Sequence, residues 1–196
     1  MERQDFIRLL SPEGQKLLEK VGPIDAKADV LKLVSSLRSE GNDPDLVAAV
    51  LSQAKLRRRA ESKFGPFTPQ MVFTEAGLEQ ASRLSVAALH AQRFRAAGLS
   101  IIADLGCGIG AESLAMASLD LQVRAFDIDE VTAAVATYNL APFENAVVEQ
   151  ADVTKLDLDQ FDGLFFDPAR RELGGPSRER ASRKFDPAAF SPTFDF

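Results

Sequence analysis

The sequence predicts an open α/β parallel sheet placed behind an N-terminal helical domain, and three observations carry this. From Leu99 onward, short apolar runs alternate with helical segments, as LSIIADLG, ESLAMASL, VRAFDID, EVTAAVATYNL, AVVEQAD and DGLFFDP. Strand and helix alternating at this pitch imply parallel strands joined by right-handed crossovers. The first third instead spaces its apolar residues three and four apart, the period of a helix face. The first apolar run ends in GCGIGA, a glycine-rich bend that opens a helix.

The helical domain, expected over 1–63, is read from its punctuation. Ser11 with Pro12, and Asp43 with Pro44, pair an N-cap residue with a proline in the first turn. Val30, Leu33, Val34 and Leu37 form one stripe, closed by Gly41, and Leu46, Val47, Val50, Leu51 and Ala54 form another. Stripes of this kind require burial, so a small bundle is predicted. The second stripe runs out into KLRRRAESK, read as a solvated basic helix end or as an RNA-phosphate contact. Residues 64–73, FGPFTPQMVF, read as an ordered linker pinned by its phenylalanines. One uninterrupted helix is then expected from Thr74 to Ala97, with Leu78, Ala81, Leu84 and Ala88 as its buried edge and Gly98 as its stop.

Composition removes several classes. No apolar run approaches the roughly 18 residues of a membrane span, and MERQDFIRLL lacks the apolar centre of a secretory signal, so a cytoplasmic chain is expected. A single cysteine, Cys107, and a single histidine, His90, leave no cysteine- or histidine-based metal site, and His90 is expected on a helix surface. The net charge of −6 is uneven, with 12 basic and 10 acidic side chains in residues 1–63 and 11 and 19 beyond them. An acidic globular part argues against a nucleic-acid surface over the whole molecule and leaves room for a local basic patch.

Ligands of open α/β sheets bind beyond the carboxyl ends of the strands, near the switch point of strand order. Each predicted strand finishes close to an aspartate, namely Asp104, Asp127, Asp152 and Asp167. Gly106, Gly108 and Gly110, with Cys107 among them, would let a ligand approach bare backbone. Two adenosyl ligands compete for this pattern. The bend satisfies G-x-G-x-x-A with Asp127 about 20 residues on, as a nicotinamide or flavin dinucleotide requires. A carboxylate at Asp104 opposes a pyrophosphate, however, and favours the cationic ammonium of S-adenosylmethionine. Asp127 would accept ribose hydroxyls, Ile128 would face the adenine, and Asp152 with Val153 would take its amine and other face.

DLGCGIGAESLA, FDID, QADV and FFDPARR together resemble motifs I to IV of the class I S-adenosylmethionine-dependent methyltransferases. The TPQ of the linker is similar to the trimethylguanosine-synthase-like branch, and FFDPARR with FDPAAFSP resembles THUMP-like methyltransferase proteins. The resemblance covers about residues 64–190 and implies a Rossmann-like domain over 74–196. It implies that Asp104 and the glycine loop hold the methionine end, that Thr68 holds the carboxylate, and that Asp167 and Pro168 face the transferred methyl. RNA is the acceptor it favours. Amino-methylating relatives carry a second proline and a stacking aromatic after this acid, where the present chain has Ala169 and Arg170, so base methylation is not implied. Arg170 and Arg171 read as an anion contact or as a solvated pair.

Four strands are fewer than such a domain carries, so an incomplete sheet is expected, as a fragment or as one completed by a partner or a second copy. Such a chain could hold the cofactor without turnover. Two other readings stay open, a non-catalytic RNA-binding module built on Arg57, Arg58 and Arg59, and a nicotinamide-dependent oxidoreductase.

Overall fold

The structure, a computed structural model, describes residues 2–24 and 29–167. Four helices come first: α1 (Arg3–Leu10), α2 (Pro12–Val21), α3 (Val30–Ser39) and α4 (Pro44–Phe64). The expected caps form, with Ser11 Oγ accepting from Gly14 N at 3.0 Å and Asp43 Oδ1 from Leu46 N at 2.9 Å. Val47, Val50, Leu51 and Ala54 of α4 pack with Leu9, Leu17, Leu18 and Leu37 in one core. The α3 stripe is shallower than predicted, since only Leu37 is fully buried and Val30, Leu33 and Val34 lie at the margin.

A 3-10 helix (Gly65–Gln70) leads into the extended segment Met71, Val72 and Phe73, all three buried. The single helix expected over Thr74–Ala97 is instead two, α5 (Glu75–Gln80) and α6 (Leu84–Ala96). Tertiary contact explains the break. Lys63 Nζ donates to the carbonyl oxygens of Leu78, Glu79 and Ala81 at 2.7, 3.0 and 2.8 Å, and so satisfies acceptors that a continuing helix would have used. Leu78 is buried as expected, but on α6 the innermost residues are Ala87 and Ala91, with Leu84 and Ala88 half-buried. Gly98 ends α6 with φ +75°.

Strands β1 (Ile101–Leu105), β2 (Gln122–Asp127), β3 (Ala146–Gln150) and β4 (Gly163–Phe166) form one parallel sheet in the order β3-β2-β1-β4, as the α/β reading requires. Helices α7 (Ala111–Ala117) and α8 (Glu130–Leu140) are the first two crossovers. Alternation divides the strands. Ile102, Val123 and Ala125 join the large core shared with α6, α7 and α8, whereas Ala103, Leu105 and Phe126 pack on the opposite face with Val153, Phe161 and Phe166. The chain winds outward from β1 to β3 and returns to β4 on the other side of β1, which puts the switch point above β1 and β4. Leu56, Ala60 and Phe64 of α4 belong to the core of this sheet rather than to that of the bundle.

Candidate functional site

At the switch point the chain leaves β1 through a bend whose backbone is held by β2. The amides of Gly106 and Cys107 both donate to Phe126 O, at 2.9 and 2.8 Å. Gly106, Gly108 and Gly110 take φ values of +87°, +57° and +87°, the region open to glycine at least cost. At Gly106 and Gly108 an added Cβ would meet nothing within 4 Å, so the bend presents bare backbone to open space. Gly110 differs, because its Cβ would press on Leu140 Cδ1 at 3.3 Å, so it also packs against α8.

Asp127 closes one side of the bend. Its Oδ2 accepts from Gly108 N and its Oδ1 from Asp129 N, both at 3.0 Å. Burial lifts its pKa, against the backbone hydrogen bonds from Asp129 and Gly108 that lower it. Ile128, next in sequence, is 67 % exposed. Asp104 lies below the bend, fully buried, with Oδ2 accepting from Ser113 Oγ at 2.5 Å. Desolvation raises its pKa to about 7, the Ser113 hydrogen bond opposes this, and the charges of Glu112 and Asp127 add to it. Cys107 is buried, and burial together with Asp104 and Asp127 holds its thiol well above the ordinary range, which makes it an inert wall rather than a nucleophile.

The other expected residues are distributed as follows. Asp152 caps the short 3-10 helix Val153–Lys155, its Oδ1 accepting from Thr154 N and Oγ1 at 3.1 and 2.7 Å and its Oδ2 pairing with Lys155 at 3.0 Å. Those partners, the Thr154 side chain first, hold its pKa at about 2. Val153 is buried beside Phe126. Asp167 is exposed directly after β4, and Pro168, Arg170 and Arg171 lie outside the described residues. Thr68 is enclosed in the 3-10 helix Gly65–Gln70, with Oγ1 sealed off and without a partner.

Two expectations about charge are refined. The basic run of α4 is a solvated end in part, with Arg58 and Arg59 exposed in surface ion pairs, whereas Arg57 and Lys63 are bound to neighbouring backbone. Arg57 is buried and donates to Met71 O at 3.0 Å, Arg58 pairs with Glu61, Arg59 pairs with Glu75, and Lys63 binds the α5 carbonyls. His90 is not a plain surface residue. Its Nδ1 lies 3.2 Å from Glu112 Oε2, and its ring packs on Phe165 of β4 with centroids 5.3 Å apart. Glu112 Oε1 is buried without a partner.

Sequence reasoning missed Glu112 and, more consequentially, Asn139. Asn139 is buried in α8, between Ala136 and Leu140. The available signal was an amide side chain on a helix whose inward positions are otherwise alanine, valine and leucine.

Among the described residues no cluster suited to a metal ion is found, and no helix is long and apolar enough to cross a membrane. A parallel sheet with a bare glycine bend and carboxylates at its switch point defines a nucleoside-binding α/β domain. Residues 66–175, more than half the chain, match the Methyltransferase small domain family, and the chain belongs to that family. Residues 2–60 match a domain of unknown function (DUF8688). An uncharacterized S-adenosylmethionine-dependent methyltransferase of Mycobacterium tuberculosis, from strains CDC 1551 / Oshkosh and H37Rv, is 34 % identical over 146 residues, which cover 70 % of this chain and 37 % of the relative. The chain therefore spans little more than a third of the length of these curated relatives.

Solved structures give partial overlaps. CalS10, an amino pentose methyltransferase from Micromonospora echinaspora bound to S-adenosylmethionine, is 28 % identical, with 51 % of this chain and 42 % of that one covered and a TM-score of 0.39. PH1948 of Pyrococcus horikoshii, provisionally named an RNA methyltransferase, is 23 % identical, with 51 % and 54 % covered and a TM-score of 0.44.

Proposed function

We propose that this chain forms the S-adenosylmethionine-binding part of a methyltransferase of the cytoplasm whose methyl acceptor is RNA. The observation that carries the cofactor assignment is Asp127 at the end of β2, hydrogen-bonded to the amide of Gly108 and so fixed beside the open side of the glycine bend. A carboxylate in that position suits the two hydroxyls of a ribose, and the bare backbone at Gly106 and Gly108 leaves space for what the ribose carries.

The residues fit this cofactor better than a dinucleotide. Asp104 and Asp127 set acidic side chains at the bend, which suits a cationic ligand and opposes a pyrophosphate. Membership of a methyltransferase family points the same way and weighs against a nicotinamide-dependent enzyme. In the proposed arrangement Asp104 with the loop Gly106, Cys107, Gly108 and Gly110 receives the methionine end, Asp127 the ribose, and Ile128, Asp152 and Val153 the adenine. Thr68, whose buried Oγ1 has no hydrogen-bond partner, is kept for the carboxylate of the methionine end. When bound, the cofactor supplies an electrophilic methyl group. The chain's own residues orient the ligand, and Asp167 with Pro168 is assigned to the acceptor side.

RNA rests on the likeness of the TPQ linker and of FFDPARR to RNA-directed branches, not on the α4 cluster, of which Arg57 and Lys63 are bound to neighbouring backbone. The burial of Arg57 removes one of the three arginines on which a non-catalytic RNA-binding module would be built. Calorimetric titration with S-adenosylhomocysteine should show saturable binding, weakened about tenfold or more in Asp127→Ala, because a charged hydrogen-bond acceptor is lost. Absence of binding, or equal binding by Asp127→Ala, overturns the cofactor assignment. Incubation with labelled cofactor and total RNA should place label in RNA; label found only in protein or small molecules overturns the acceptor.

A further inference from the structure

Residues 71–73 run as an extended strip between two buried amide side chains. On one side Gln53 of α4 accepts from Phe73 N at 2.9 Å and donates to Phe73 O at 3.0 Å. On the other, Asn139 of α8 accepts from Val72 N at 2.8 Å and donates to Val72 O at 3.0 Å. Each amide thus pairs with the strip as a neighbouring strand would. The Asn139 NH2 group also donates to Ile109 O, at 3.0 Å, within the glycine bend. Arg57, one turn along α4 from Gln53, fixes Met71 O. The strip then turns into α5, whose Gly77 packs so closely on Ile109 that an added Cβ would stand 2.3 Å from Ile109 Cγ2.

We propose that helix α4 of the N-terminal helical domain is a positioning element of the cofactor site, because Gln53 and Arg57 hold the 71–73 strip and Asn139 ties that strip to the carbonyl of Ile109 in the glycine bend. The inference rests on the cofactor reading above and gives residues 2–60, which match a domain of unknown function, a defined task. The physical reason is preorganisation. A bend carrying three positive-φ glycines has intrinsic freedom, and hydrogen bonds from a rigid neighbour remove it before ligand arrives. The basic residues of α4 find their use here as well, since Arg57, Arg59 and Lys63 all grip residues 71–81.

The test uses the full chain and three variants, Gln53→Ala, Gln53→Glu and Leu17→Ala. Leu17 lies in the separate core of the helical bundle and serves as a control for stability alone. At a temperature where all are folded, Gln53→Ala is expected to speed amide hydrogen exchange over residues 106–111 and to weaken S-adenosylhomocysteine binding about tenfold, the scale on which supporting residues act on a bound ligand. Gln53→Glu, which keeps the acceptor for Phe73 N, should recover part of both, and Leu17→Ala should change neither. Unchanged exchange at 106–111 in Gln53→Ala, or equal acceleration in Leu17→Ala, overturns the proposal. Exchange is measured without ligand, so a chain that binds no S-adenosylhomocysteine would sink the cofactor reading while this coupling is still decided.

Discussion

Ser113 Oγ donates a 2.5 Å hydrogen bond to Oδ2 of Asp104, joining the first turns of α7 to the end of β1 inside the protein. It is a bond to a carboxylate that burial drives toward its neutral form, and that burial gives the fold a pH dependence. An aspartate titrating from 3.8 in the unfolded chain and from about 7 in the folded one holds its proton more tightly when folded. The associated stability is complete below 3.8 and is lost as pH rises through 7. Three units correspond to about 4 kcal/mol as an upper figure. Asp104→Asn should therefore melt higher than the parent at pH 8 and at nearly the same temperature at pH 4. Parallel melting profiles for the two proteins from pH 4 to 8 would contradict it.

Ser113→Ala follows from the same pair. Removing the hydroxyl removes the contact that lowers the Asp104 pKa, so the carboxyl should titrate still higher. Carbon-detected NMR titration of the Asp104 carboxyl reads this directly, and a downward move would be inconsistent with the assigned cause.

Gly77 and Ile109 are in contact with no room to spare. In Gly77→Ala the new methyl would lie 2.3 Å from Ile109 Cγ2 and 2.6 Å from Thr74 Oγ1, so one of them must shift. Overpacking of this kind costs about 1–3 kcal/mol. The penalty should shrink when Ile109→Ala is added, a non-additivity that chemical denaturation of the two single variants and the double variant would show.

Gly108→Ala separates conformational cost from loss of ligand space. Its φ of +57° costs an alanine about 1–2 kcal/mol, with nothing within 4 Å to clash. Gly41→Ala, at φ +87° and equally open, lies between α3 and α4 and should cost the fold a similar amount. Only Gly108→Ala should also lose S-adenosylhomocysteine affinity in calorimetry; equal affinity in both variants would count against the bend as the cofactor face.

Lys63→Met should loosen α5. Three carbonyls lose their ammonium donor, at about 1–3 kcal/mol in total for groups that solvent partly recovers. Hydrogen exchange should rise in residues 75–83 first, whereas uniform acceleration across the chain would indicate a general loss of stability instead.

Much of the fold was legible because it depends on short-range rules. Period-two and period-3.6 patterns placed the four strands and the flanking helices, and Ser11, Asp43, Gly41 and Gly98 ended their helices where side-chain capping and positive φ dictate. The glycine bend and the strand-end aspartates could also be named, since a bare backbone turn after a strand has few other uses. The 74–97 segment was misread because its helical pattern is continuous, while its interruption comes from Lys63, distant in sequence and near in space.

The sequence by itself determined the elements, their parallel arrangement and the residues at the switch point, because those follow from periodicity and local backbone chemistry. Tertiary structure alone decided which polar side chains are enclosed and whom they meet. Arg57 and Lys63 became anchors rather than a solvated patch, His90 found Glu112 and Phe165, and Asn139 bridged Val72 to Ile109. These outcomes join residues up to 67 positions apart, and only a packed interior, where each buried donor and acceptor must find a partner, brings them together.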